Sequence, residues 1–134
     1  MNVWYLDTSA FLKLVIRERE TEALVTWVGE RSSDDVLMSS DLLRAEALRA
    51  ARLVDERALA EVLARLETLD LIPVTRETFD DAGIVEPARL RTLDAIHLVA
   101  AQSLIPDLLG VVTYDTRLTG AASQHGIEVV SPGT

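Results

Sequence analysis

The chain contains no cysteine and only one lysine, Lys13, among its 134 residues. Without cysteine there are no disulfides and no thiolate metal sites, which fits a reducing, cytoplasmic setting. No apolar run reaches the roughly 20 residues that a membrane-spanning helix requires. No basic stretch precedes the apolar N-terminal run, so the expectation includes neither a membrane segment nor a signal peptide. Repeats, low-complexity tracts and linkers are also missing. What is present is a 49% hydrophobic composition, enough to argue against disorder. The length suits one domain, taken as residues 1–134, with a substantial core.

A formal net charge of −9 works against a simple nucleic-acid binder, because phosphate contacts draw on a basic surface. Yet 12 of the 13 basic residues are arginine, the side chain best suited to bidentate phosphate contacts. Arg44 and Arg49 flank Glu46, Arg91 precedes Asp94, and Arg117 follows Asp115. The plain alternative places them on solvated helix faces in i,i+4 pairs, a spacing that Arg57, Glu61 and Arg65 share.

Apolar runs and helical stripes alternate along the chain. NVWYL at 2–6, VLMS, LDLIPV, LLGVVTY and IEVV read as strands, the first apolar on both faces as in a covered parallel sheet. Pro73 marks an edge or a strand end. Helices are expected over about 9–17, 20–30 and 55–68, the last with Leu59, Val62, Leu63 and Leu66 as its stripe. Ser40 or Asp41 caps the helix carrying Glu46, and Thr92 the one carrying Asp94, which runs to Ile105-Pro106. Between them, a helix to about Gly83 gives way to a turn or loop near Pro87. A short helix over about 116–124 precedes the last strand. This alternation predicts an α/β domain with a mainly parallel sheet.

Four acids stand out within or beside apolar elements. Asp7 ends VWYLD and Asp115 follows GVVTY, while Glu46 and Asp94 lie in the helical patterns LLRAEALRA and RTLDAIHLVAA. A carboxylate in such a setting is costly to bury unless it is paired, protonated or bound to a metal. If the strands before Asp7 and Asp115 are parallel neighbours, both acids reach the crevice beyond the carboxyl ends of the sheet. Each also has a plain reading: Asp7 or Asp115 as a helix N-cap, Glu46 paired with Arg49, Asp94 as a first-turn charge. All-oxygen ligands would suit Mg²⁺ or Mn²⁺ rather than zinc. His97, three residues after Asp94, either orients that aspartate or takes a packing or hydrogen-bonding role. Trp4 and Trp27 read as packing residues.

The segments YLDTSAFLKL (5–14), AEALRA (45–50), RTLDAIHLVAA (91–101) and VTYDTRL (112–118) together resemble the PIN-domain ribonucleases, most closely the VapC-type toxins of bacterial toxin–antitoxin modules. The resemblance spans nearly the whole chain. It implies a PIN-like α/β/α sandwich around a short, mainly parallel sheet. It also implies that Asp7, Glu46, Asp94 and Asp115 are the acidic metal-binding and catalytic positions, with Ser9 in support; Thr113, two residues before Asp115, either supports that acid by a hydrogen bond or has an ordinary strand role. Lys13, Arg49, Arg91 and Arg117 are then candidate RNA contacts. The implied activity is Mg²⁺- or Mn²⁺-dependent endoribonuclease cleavage leaving 3′-hydroxyl and 5′-phosphate ends. The implied partners are RNA, a VapB-type antitoxin and a second copy of the chain.

Two alternatives stay open on the sequence. One is a nuclease of the same kind in RNA processing, without an antitoxin. The other is a Mg-dependent phosphoryl-transfer domain, which fits poorly. A phosphatase of that type expects a second aspartate where Ser9 stands, and a receiver domain expects a lysine near the end, where none occurs after Lys13.

Overall fold

The computed structural model describes every residue from Met1 to Thr134. Its elements follow in the order β1 (Asn2–Leu6), α1 (Thr8–Val15), α2 (Thr21–Gly29), β2 (Asp35–Ser40), α3 (Leu42–Arg52), α4 (Glu56–Leu66), β3 (Asp70–Ile72), α5 (Arg76–Ile84), α6 (Thr92–Gln102), β4 (Leu108–Val112), α7 (Thr116–Gln124) and β5 (Val129–Val130). The five strands form one sheet, ordered β3-β2-β1-β4-β5, with every pairing parallel.

Parallel strands need crossover helices, and these cover both faces, so β1 is buried from Val3 onward. Alternate side chains then serve different layers. Tyr5 and Val111 face α6 and α7, where Leu98, Ala101, Leu118 and Ala122 complete one core. Trp4, Leu6 and Val112 face the other way, against Ala10 of α1 and Leu24 of α2. A further cluster joins α1, α3 and α4 through Phe11, Leu43, Ala47, Val62 and Leu66. Trp4 and Trp27 meet edge to face at 4.9 Å between ring centroids, a favoured aromatic geometry.

The β1–β4 register shifts between Val3 and Trp4, opposite Leu108 and Gly110. A side chain at Gly110 would meet the Glu128 carbonyl oxygen and the Trp4 ring, each at 2.7 Å. Glycine is therefore required there by close approach rather than by backbone dihedral.

Several expected boundaries move. The helix expected over 9–17 is Thr8–Val15, and that expected over 55–68 is Glu56–Leu66. Asp55 starts the latter, accepting from the Ala58 amide at 2.7 Å. The Asp94 helix stops at Gln102 rather than Ile105, and its cap position is Arg91, with Thr92 already helical. Asp41 occupies the α3 cap position without a side-chain capping bond, its backbone being helical (φ −59°, ψ −21°) rather than extended as a capping residue's usually is. Leu63, expected in the α4 stripe, is 48% exposed. β3 is one of the two edge strands and ends immediately before Pro73, in keeping with the missing proline donor. No helix is long and apolar enough to cross a membrane.

Candidate active site

The sheet order places β1 between β2 and β4, so successive crossovers leave β1 in opposite directions. This is the topological switch point of an open parallel sheet, where ligands gather beyond the carboxyl ends of the strands. Leu6 and Val112 are register partners, and the Asp7 amide donates to the Val112 carbonyl at 3.2 Å. Asp7 and Thr113 thus leave the sheet side by side.

Asp7 caps α1 through Oδ1, which accepts the Ala10 amide at 3.0 Å and the Ser9 hydroxyl at 2.7 Å. Its Oδ2 accepts the Thr113 hydroxyl at 2.5 Å. Asp7 is 4% exposed. Burial pushes its carboxyl above the usual range, against the opposing pull of Thr113, Ser9 and the Ala10 amide. Ser9 is held in turn by the Tyr114 amide, which donates to its Oγ at 2.9 Å.

Asp115 caps α7. Its Oδ1 accepts the amides of Arg117 and Leu118 at 2.8 and 3.1 Å. The plain cap readings of Asp7 and Asp115 and their placement at the sheet edge are therefore compatible. Capping uses one carboxylate oxygen and leaves the second available.

Glu46 does not pair with Arg49. Its Oε1 accepts the Thr8 hydroxyl at 2.6 Å and lies 2.7 Å from His97 Nε2. Burial pushes Glu46 up, but the bonds from His97 and Thr8 outweigh it and hold the carboxyl below its ordinary range. His97 takes the packing and hydrogen-bonding role rather than orienting Asp94: it is buried, its Nε2 reaches Glu46, and its Nδ1 lies 2.7 Å from the Tyr5 hydroxyl. The sequence reading missed Thr8 and this long-range use of His97. The available signal was a lone imidazole in an otherwise apolar helix segment, Ala95–Ala101.

Asp94, in the first turn of α6, is half-buried and has no hydrogen-bonding group to stabilise its charge. Burial raises its pKa, and the negative charge of Asp115 raises it further, with smaller contributions from Asp7 and Glu46 against the pull of His97. Asp94 therefore feels the other three acids, and the salt bridges of the chain include none to Asp7, Asp94 or Asp115.

This donor set fits a hard divalent cation chemically. It consists of oxygen, its charge is uncompensated, and Asp7, Glu46 and Asp115 each have one oxygen loaded with two donors and a second with spare capacity. Such monodentate presentation suits the octahedral demands of Mg²⁺ or Mn²⁺ better than bidentate chelation. As the side chains stand, no three acidic or imidazole groups close on a single point. His97 and Thr8 hold Glu46 by its Oε1.

Arg49, Arg91 and Arg117 are exposed and take part in no salt bridge, as does Arg44. Lys13 departs from the expectation of an RNA contact. It is 9% exposed, pairs with Glu20 at 2.7 Å and Glu18 at 3.0 Å, and sits 4.8 Å from the Tyr114 ring centroid. Burial would lower its pKa, but the two glutamates outweigh that and hold it up. Its charge is spent inside the protein.

Comparison with known proteins agrees with this arrangement. The PIN domain family model matches residues 4–124. The chain is 44% identical over 130 residues to ribonuclease VapC46 of Mycobacterium tuberculosis, covering 96% of each protein. Among solved structures, Mycobacterium tuberculosis VapC20, described as a sarcin-ricin loop cleaving toxin, superposes with a TM-score of 0.73 at 18% identity, over 96% of this chain and 99% of that one. A chain of VapBC2 from Rickettsia felis, bound to a DNA fragment from its promoter, gives 0.71 at 10% identity, over 96% and 99%. With the β1–β4 switch point, the acids around it and full-length identity of this order, the chain belongs to the PIN-domain family, among its VapC-type ribonucleases.

Proposed function

We propose that the protein is a divalent-metal-dependent endoribonuclease and the toxin of a toxin–antitoxin pair. The observation that carries this reading is the place of Asp94 beside the sheet's switch point, where Asp115, Asp7 and Glu46 all raise its pKa and no cationic side chain pairs with Asp7, Asp94 or Asp115. Carboxylates arranged this way cost folding free energy, so their use lies in what they bind.

Asp7 and Asp94 are the residues assigned to hold Mg²⁺ or Mn²⁺ most directly, with Asp115 and Glu46 completing the set. The bound ion would supply charge neutralisation at the scissile phosphate and make a water easier to deprotonate. Ser9 and Thr113 fix Asp7 so that only its Oδ2 retains a free acceptor direction. Glu46 stays ionised near neutral pH, because His97 and Thr8 favour its charged form. Its Oε2 and the Oδ2 of Asp115 are the acceptor oxygens left for a proton from the attacking water. The water oxygen bonds to phosphorus, the bond to the 3′ oxygen breaks, and that oxygen takes a proton. The products are 3′-hydroxyl and 5′-phosphate ends. Arg49, Arg91 and Arg117 are exposed and unpaired, available for bidentate phosphate contacts along the strand.

The relatives' names support the toxin assignment. VapC46 is called a ribonuclease, and the Rickettsia felis and Haemophilus influenzae structures are VapBC assemblies. A VapB-type antitoxin, a homodimer and a cytoplasmic location complete the proposal. Thermal melts test its metal component. Mg²⁺ or Mn²⁺ raises the melting temperature of the wild type, and the rise disappears in Asp7→Asn; an equal rise in both proteins would overturn it.

A further inference from the structure

Helix α6 carries one polar side chain whose work the reaction above leaves unassigned. His97 is 3% exposed and lies among Ala95, Ile96, Leu98 and Val99, all buried. A leucine would fill such a position without burying two ring nitrogens, each of which needs a partner. Both have one. Nδ1 lies 2.7 Å from the Tyr5 hydroxyl and Nε2 lies 2.7 Å from Glu46 Oε1, with Thr8 Oγ1 at 3.3 Å. A carboxylate oxygen only accepts, so Nε2 carries a proton.

The far end of this chain of bonds is immobile. Tyr5 is wholly buried in the central strand, and its hydroxyl is also hydrogen-bonded to Ser40 of β2 at 3.0 Å. The Tyr5 and His97 rings pack edge to face, with centroids 5.8 Å apart and planes at 70°. Three elements therefore hold the imidazole: β1 and β2 through Tyr5, and its own helix. The near end is a glutamate on α3 that is 24% exposed and would otherwise move among rotamers.

We propose that Tyr5 and His97 form a buried strut that fixes the pose of Glu46, engaging Oε1 so that Oε2 alone is offered to a bound divalent cation or its water. Both are positioning residues, acting through Glu46. The inference rests on reading the four acids as a metal site. Under it α6 contributes twice, presenting Asp94 from its first turn and, three residues on, the group that aims Glu46. Thr8 supplies the second donor to the same oxygen from the start of α1. Partners of a metal-site carboxylate typically change metal affinity on removal by about 10–100-fold.

Mn²⁺ affinity of the purified full-length chain, read by electron paramagnetic resonance and calorimetry without RNA, tests the strut. His97→Leu is expected to weaken binding by about tenfold or more. Tyr5→Phe, which removes only the hydroxyl, weakens it in the same direction. His97→Gln, which keeps an N–H donor within reach of Oε1, recovers part of the loss. In a Glu46→Gln background, His97→Leu has little further effect, because the coupled partner is already gone. Folded His97→Leu and Tyr5→Phe proteins that keep wild-type affinity within twofold would overturn the strut. So would a His97→Leu loss undiminished by Glu46→Gln. Should His97→Leu not fold, Tyr5→Phe and His97→Gln carry the same decision. Wild-type protein that binds no Mn²⁺ would overturn the metal site and the strut together. Binding that Asp94→Asn abolishes but the strut variants leave intact would overturn the strut alone.

Discussion

Asp94→Asn is expected to stabilise the metal-free protein at neutral pH while removing most of its stabilisation by metal. The native carboxyl is half-buried, lacks any hydrogen bond to its charge and feels Asp115, Asp7 and Glu46. Asparagine keeps the shape and drops the charge. A single substitution that relieves unfavourable charge commonly contributes about 0.5–2 kcal/mol, and the partial exposure of Asp94 keeps the effect to about 1 kcal/mol. With unfolding entropy of about 2.1 cal/mol/K per residue, a chain of 134 residues converts this to a rise of roughly 3–4 °C in melting temperature. The pH dependence has a definite sign. A native pKa raised above the unfolded value means that the folded state holds the proton more tightly, so the penalty is fully present above the native pKa. It fades as pH falls through that value and is gone below the unfolded value of about 3.9. The gap between variant and wild type therefore narrows on acidification. Saturating Mg²⁺, at about 100 times its dissociation constant, adds about 2.7 kcal/mol to the wild type and reverses the ranking. Calorimetric melts in chelator and in Mg²⁺, from pH 7.5 to pH 4.5, supply the readout. A variant that melts below the wild type in chelator, or a gap that does not change with pH, would refute the reasoning.

Other perturbations probe other parts of the account. Gly110→Ala drives a methyl group against the Glu128 carbonyl and the Trp4 ring; overpacking of this kind costs about 1–3 kcal/mol, read as a lower urea midpoint, and an unchanged midpoint would contradict the contact. Thr113→Val removes a donor to Asp7 Oδ2, so the Asp7 pKa moves further up and metal binding shifts to higher pH, followed by Mn²⁺ titration at several pH values. Lys13→Met lowers thermal stability by leaving Glu18 unpaired and Glu20 with only the exposed Arg19 while RNA affinity measured by filter binding is unchanged; a selective loss of RNA affinity would restore Lys13 as an RNA contact. Charge reversal at Arg91 and Arg117 weakens RNA binding and reduces its salt dependence without lowering Mn²⁺ affinity, and equal losses of both would place these arginines in the metal site instead.

Much of the fold was legible because it rests on local pattern. The two-faced apolar run before Asp7 identifies a covered strand, and Pro73 identifies an edge. Alternation of strands and helices limits the topology to a parallel sheet with crossovers. Asp7 and Asp115 were legible as helix caps, which the structure shows, and capping leaves each a second carboxylate oxygen for the proposed site. Helix ends were less legible: whether Thr92 caps α6 or begins it depends on backbone dihedrals that composition does not set. The strut behind Glu46 was invisible for a different reason. Tyr5, His97 and Glu46 are separated by 92 and 51 positions, and only the packed sheet brings them together. Lys13 was misread because its partners lie in the turn between α1 and α2, where the spacing to Glu18 and Glu20 fits no helical rule.

The central claim is that these acids cut RNA through a bound divalent cation, and end-mapped RNA cleavage tests it most directly. Purified wild type is incubated with total single-stranded RNA in Mg²⁺ or Mn²⁺, in chelator, and beside Asp7→Asn and Asp94→Asn, each checked for folding. The account predicts discrete cuts with 5′-phosphate and 3′-hydroxyl ends from the wild type with metal, and none in chelator or from either variant. Cleavage that persists in chelator, or that either folded variant retains at the wild-type rate, would contradict it.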